Sequence, residues 1–471
     1  MPKLERKLGL WVSVSIVIGS VIGSSIFMKP ATMASQLGSP LFIIMVWLVA
    51  GTISIFGAMI NAEIGAMIPE TGGQYVYFKK MYGDFFAYLY GWASFIVINT
   101  AAIGAIAFVF AQFSETFGQL PHFSKATEVA VQWHIPLLGD LYPLANAGVK
   151  SLAVLLIVIL TWINYRSAKS GGTIQVFFTI LKVVALVVLI CFLFAGNGDT
   201  ANLVKTPAAF NGSAWPVFLG FIAASSGALA AYDGWNNLGF ISGELKNPGR
   251  NIPRGLILGL GACMVLYILT TLAYLYIIPI DEMKNSGLVA ADAMKKVAGV
   301  AGGSFIAILV MISTAGATNG NILPCARITY AMAEDNNFWK WGKKIHPRFQ
   351  TPSNALWIQC AISCLFVLTG SFDMLADLFV FVSWIFYGFG AYGIFILRKK
   401  MPEAERPYKL KGYPLLPIIF IGFSILYFVI TIYNDVSNFI AGKTPVVYSI
   451  LGLIFIATGI PFYFYFKRTK S

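Results

Sequence analysis

The chain has 471 residues, of which 58% are hydrophobic and 11% charged, and its mean hydropathy is +0.75. Soluble domains carry about 25% charged residues, so this composition excludes a soluble protein and places the chain in a lipid bilayer. The formal net charge of +13 would suggest nucleic acid in a soluble protein; here its distribution along the chain accounts for it, and no nucleic-acid partner is expected.

A membrane-spanning helix needs roughly 20 apolar residues. Twelve such stretches follow one another: 10–35, 40–68, 82–116, 148–165, 172–196, 214–243, 255–280, 300–333, 353–370, 373–398, 412–434 and 445–466. Each is too long for a barrel strand and none alternates with period two, so all are predicted to be helices. The longest connection, 117–147, is too short for a separate domain, and 1–471 reads as one all-α integral membrane domain. With the N-terminus in the cytoplasm, 23 of the Lys and Arg residues fall on the inner side, 7 on the outer side and 3 within spans. The positive-inside rule then predicts that both termini are cytoplasmic in a multi-pass protein of the cell membrane. The first span has a basic front but no small-residue cleavage site, and is expected to be retained. The five cysteines, Cys191, Cys263, Cys325, Cys360 and Cys364, all lie in spans, so no disulfide-linked partner subunit is expected.

Two spans are interrupted. The first carries "GSVIGSSIF" from Gly19, and the sixth carries "ASSGALAAYDGWNN" from Ala224 to Asn237. Interrupted spans at matching positions are the mark of an inverted repeat. Five is odd, so the second set of five enters the bilayer from the opposite face. The expected repeats are 10–196 and 214–398, with 412–466 as two accessory helices. Unwound backbone in lipid leaves N–H and C=O groups unpaired at several kcal/mol each, unless they line a cavity and bind something. A half-helix N-terminus attracts a carboxylate, and free carbonyls attract an ammonium. A zwitterion bearing both on one carbon, an amino acid, fits both. The competing reading of Gly19 and Gly23 is a GxxxG packing face.

Five fragments in chain order resemble the amino acid–polyamine–organocation superfamily, within it the L-amino-acid-transporter branch and its bacterial relatives. They are "IGSSIF", "AEIGAMIPETGGQYVY" (Ala62–Tyr77), "AYDGWNNLGFISGELKNPGRNIPRG" (Ala231–Gly255), "STAGATNGNILPCARITYAMAEDN" (Ser313–Asn336) and "LRKKMPEAERPYK" (Leu397–Lys409). The resemblance implies the leucine-transporter-type fold, a five-plus-five inverted repeat of ten helices with helices one and six broken, here with two more helices. It implies a carboxylate site at the N–H groups of Gly23, Ser24 and Ser25, and an ammonium site at carbonyls near Val21, Ala230 and Asp233. Three positions depart from the family pattern. Ser25 stands where glycine is expected and narrows the pocket or adds a hydrogen bond. Ala230 replaces a large aromatic gate, leaving that role to Tyr232 or Trp235, or leaving more room. Asp233 stands where many relatives have glycine; it contacts substrate, cationic side chains included, or caps the restarting helix.

Ionisable groups inside a span are functional candidates. The resemblance puts Lys182 where sodium-coupled cousins hold a sodium ion. It would tie span five to the broken first span and, with Ser313 or Thr314, to span eight. This implies sodium-independent transport; a titratable ammonium there also keeps proton coupling open. Glu63 and Arg327 read as a pair or as solvated end groups, with an inner gate as the alternative. Glu244 reads as part of a cytoplasmic network, Asn319 as substrate-facing, and Lys29 as a group that snorkels or attracts anions. His122, His134 and His346 lie in loops. There is no phosphate loop, metal-ligand cluster or Cys–His pair, so no metal or cofactor is expected. The function expected is amino acid exchange by alternating access, with proton-coupled symport as the alternative. A receptor would need a signalling domain, and a membrane-embedded transferase an intramembrane His or Asp constellation; neither is present in the sequence.

Overall fold

The computed structural model describes residues 9–68, 70, 72–135, 139–166, 171–204, 214–240, 245–349 and 351–468. Among the described residues, ten helices are long and apolar enough to cross a membrane. The bent pair Leu10–Val21 and Ser25–Leu37, with 48° between its halves, adds one span, and the shorter apolar helix Ser353–Thr369 adds another. That makes twelve. In order, span 1 is the bent pair, span 2 Pro40–Met67, span 3 Asp84–Ser114, span 4 Ala147–Arg166 and span 5 Gly171–Ala195. Span 6 is Ala214–Tyr232 with the short helix Asn237–Phe240, span 7 Pro248–Ile277, span 8 Val289–Glu334, span 9 Ser353–Thr369 and span 10 Phe372–Lys400. Span 11 is Leu415–Ile440, and span 12 is Tyr448–Ala457 followed by Gly459–Arg468. A two-stranded hairpin, Trp133–Ile135 with Gly139–Leu141, sits in the connection before span 4.

Local chemistry sets the ends. Pro40 and Pro248 occupy the first helical turn, where a missing N–H costs nothing. Span 7 therefore starts at Pro248, well before the apolar run that begins near 255, because its first two turns are polar. Gly38, at φ 58°, closes span 1 in the left-handed conformation. Span 8 begins at Val289 rather than 300, with a kink at Ala298 and Gly299 separating an outer helix from the span. Glu244 lies outside the described residues.

Span 1 packs on span 6, span 2 on span 7, span 3 on span 8 and span 4 on span 9. This constant offset of five is consistent with two intertwined five-span repeats, and it brings the two interrupted spans side by side. Span 3 loosens into a π-helical turn at Ser94–Ile98.

One end of the bundle is closed by Glu63, which is 2% exposed. Its carboxylate accepts two hydrogen bonds from Arg398, at 2.9 and 2.7 Å, and one from the Leu410 N–H at 2.7 Å. Arg406 adds a contact at 3.6 Å. Of the two readings of Glu63 and Arg327, a pair or solvated end groups, the pair is not found, and Glu63 is not a solvated end group either. Arg327 is exposed and pairs with no described residue, while the bidentate fork of Arg398 satisfies a buried carboxylate better than a point contact. Removing one partner of such a pair costs about 3–5 kcal/mol. Glu63→Ala is therefore expected to lower the melting temperature in detergent by several degrees; an unchanged melting temperature would contradict this role.

Candidate functional site

The first break is three residues of lost helix, Ile22, Gly23 and Ser24. Ile22 turns extended (ψ 95°), and the helix resumes at Ser25. Among the described residues nothing accepts from the N–H groups of Gly23, Ser24 and Ser25. These are the orphan donors of a helix start, and they are held inside the bundle, since Ser24 and Ser25 are buried.

The carbonyls of the break are engaged differently. The Lys182 ammonium, from span 5, donates to the Gly19 and Ile22 carbonyls, both at 3.1 Å. A fixed cation thus satisfies the C-terminal end of the first half-helix, where the dipole is negative. Ser313 and Thr314 do not join it. The Ser313 hydroxyl is buried with no hydrogen-bond partner among the described residues, and Thr314 donates to its own helix at Val310 and Met311.

The second break follows Tyr232. Asp233, Gly234, Trp235 and Asn236 form turns before the helix resumes at Asn237. Gly234 sits at φ +102°, and a Cβ there would meet the Ser20 carbonyl oxygen at 2.7 Å. Both facts require glycine: the two broken backbones touch at this point, and only a residue without a side chain permits it. A second link is the Tyr267 hydroxyl of span 7, 2.9 Å from both the Val21 and the Ala231 carbonyls. Its one proton is shared between them, and each carbonyl keeps a free lone pair.

A cavity of about 90 Å³ lies between the breaks. Val21, Gly23, Ser24, Ser25, Ala230 and Asp233 line it. Tyr232 and Trp235 do not. The Tyr232 hydroxyl donates to the Trp47 carbonyl at 3.1 Å, turned into the packing of spans 2 and 7. Trp235 stacks at a tilt on Tyr387, ring centroids 5.2 Å apart. The aromatic walls come instead from Tyr90, Phe372, Phe379 and Tyr387. Tyr387 also donates to the Asp233 carboxylate at 2.6 Å, so one oxygen of that carboxylate is held while the group borders the cavity. Asn236 accepts from Asn61 of span 2 at 3.4 Å and from Gln74, in the short helix Gln74–Tyr82 after span 2, at 3.2 Å. Asn319 is taken by Asn164 at 2.6 Å.

Above the cavity, Lys29 neither snorkels nor stands free. It is 1% exposed, with its ammonium 2.6 Å from Asp373 and 3.2 Å from Asp377 of span 10. Ser226 of span 6 donates to Asp377 at 2.9 Å. Phe372 and Ala376, on the same helical turns, face the cavity, so this ion-paired network ties both broken spans to the helix that forms the cavity wall.

Sequence reasoning missed Tyr267, Tyr387 and the partners of Lys29. The available signal was a hydroxyl or a charge at mid-span, which must find a partner when buried. Gly234→Ala should abolish measurable amino acid binding, because strain at φ +102° adds to a clash with backbone. Binding within twofold of the native chain would show that the two breaks need not touch.

The chain resembles characterised proteins over nearly its full length. A sequence model of the amino acid permease family matches residues 8–456. The chain is 29% identical over 472 residues to the serine/threonine exchanger SteT of Bacillus subtilis (strain 168), covering 99% of this chain and 98% of that one. It is 30% identical to the human b(0,+)-type amino acid transporter 1, over 99% of this chain and 89% of the relative. It is 29% identical to the human large neutral amino acids transporter small subunit 2, over 98% and 80% respectively. The broken spans and the cavity between them thus belong to a protein of known kind: the chain is a member of the amino acid permease family.

Proposed function

We propose that this protein exchanges amino acids across the membrane by alternating access, with the substrate held between the two breaks. The observation that carries the reading is a cavity bordered by both interrupted backbones. The free N–H groups of Gly23, Ser24 and Ser25 receive the carboxylate. The carbonyls of Val21 and Ala230 receive the ammonium, together with the Asp233 carboxylate. Exchange activity also agrees with the relatives, which include an exchanger.

Lys182 serves as a built-in cation at the end of the first half-helix. It removes the need for sodium, and its loss leaves two buried carbonyls unpaired. Small polar amino acids are the substrates we favour: the cavity is narrow, Ser25 adds a side chain to its wall, and the Bacillus relative is named for serine and threonine. The carboxylate of Asp233 in the wall supports a second reading, cationic amino acids. The excess of Lys and Arg at one end of the spans orients both termini to the cytoplasm. Rocking of spans 1, 2, 6 and 7 would break the Lys29 network on one side and the Glu63 network on the other.

The test is uptake of radiolabelled amino acids into liposomes containing the purified protein, with a competition panel of twenty amino acids. Uptake should require internal amino acid, persist when choline replaces sodium, and fall at least tenfold in Lys182→Ala. Accumulation in unloaded vesicles driven by a pH gradient would favour proton symport. No accumulation of any amino acid in either mode would sink the transporter reading. If Asp233 reads a substrate side chain, Asp233→Asn shifts selectivity away from basic amino acids; unchanged selectivity removes it from that role.

A further inference from the structure

A second cavity, of about 900 Å³, lies apart from the breaks at the basic end of the bundle. Its walls are the end of span 2, the first turns of span 7 and the connection after span 10. Arg250 and Arg254 stand on its rim four residues apart, hence on one face of span 7. Lys411 faces them from the connection. All three are exposed, and none of their side chains is hydrogen-bonded or ion-paired to a described residue. Glu405 is the one carboxylate on the described rim, which leaves the cavity with a net positive charge.

The groove is preformed. Glu63 holds the connection through Leu410, and Pro407 rests on Gly249, where a Cβ would come within 2.4 Å of the proline ring. Part of the lining is apolar, from Met59, Met67 and Ile257. Ile257 is 38% exposed, so the apolar lining continues onto the outer surface of span 7.

Two features ask for an anion. Cations in the first turns of a helix oppose its dipole, and three cations with no side-chain partner among the described residues repel one another around one cavity. The apolar lining decides which anion, since a free ion has no use for it and an acyl chain does. We propose that this groove binds an anionic phospholipid, with its phosphate between Arg250, Arg254 and Lys411 and its chain along Met59 and Ile257. The inference rests on the membrane-embedded reading of these spans, and not on which face is cytoplasmic or which amino acid is carried.

The full-length protein, purified in detergent, would be mixed with equal phosphatidylglycerol and phosphatidylcholine, and retained lipid counted by native mass spectrometry. Phosphatidylglycerol should be retained preferentially. The surface charge effect predicts roughly fivefold weaker retention per arginine removed, so Arg250→Gln with Arg254→Gln should abolish the preference. The paired lysine variants should keep it. Preserved amino acid exchange by the glutamine variant in liposomes shows that it is folded, and lipid retention is scored independently of transport. An undiminished preference in the glutamine variant, or equal retention of both lipids by the native chain, overturns the proposal. Displacement of the lipid by millimolar inorganic phosphate would make this a small-anion site and overturn it equally.

Discussion

The structure depends on a backbone that is not hydrogen-bonded where hydrogen bonds cannot be lost to water. At the first break the chain gives up helical pairing inside a bilayer, where each unpaired peptide group costs several kcal/mol. The deficit is met unequally. Lys182 covers the carbonyls of Gly19 and Ile22, and Tyr267 shares its proton between Val21 and Ala231. The N–H groups of Gly23, Ser24 and Ser25 are left without a described acceptor. The fixed part of the framework thus satisfies acceptors and leaves donors, which is the polarity that a carboxylate requires.

The remaining architecture holds the two breaks in register. Packing at an offset of five places span 6 on span 1, and Gly234 lets the second break touch the carbonyl of Ser20. Asn236 pins the second break on span 2, and Tyr387 pins Asp233 on span 10. Two ion-paired networks, Lys29 with Asp373 and Asp377, and Glu63 with Arg398 and Arg406, close the bundle on either side of the cavity. Surface ion pairs contribute little, but pairs with one fully buried member act as latches, because separating them strands a charge in a low-dielectric interior. Alternating access needs such contacts to be strong, localised and exchangeable.

Much of this was legible in the sequence, for reasons that can be named. Twelve apolar runs fix the spans, since lipid allows few alternatives. Glycine and serine at Gly23 and Ser24, and Asp-Gly at Asp233, are poor choices for a lipid-spanning helix, so both breaks stand out. A lysine deep in span 5 had to reach some acceptor, and the carbonyls of the first break were the nearest group in need. Less legible were contacts between residues far apart in sequence. Glu63 and Arg327 share a bundle end, and nothing in composition separates that pairing from Glu63 with Arg398; helix packing does. Tyr232 had the right size and place for a gate, yet packing turned its hydroxyl toward Trp47 and gave the cavity wall to Phe372, Phe379 and Tyr387. Sequence position gives depth in the bilayer, whereas the face a side chain presents follows from neighbours that the sequence does not order.

The central claim is that recognition resides in two separate backbone sites, one for the carboxylate and one for the ammonium. It is tested most directly by equilibrium binding of the preferred amino acid beside two truncated analogues, the amine lacking its carboxylate and the acid lacking its ammonium. The account predicts that only the complete zwitterion binds, with each truncation weakening affinity at least a hundredfold, because each leaves desolvated partners unpaired, a cost of about 1–3 kcal/mol and more where charge is involved. Either analogue binding within a few-fold of the amino acid would contradict it, and would move the recognition site away from the two breaks.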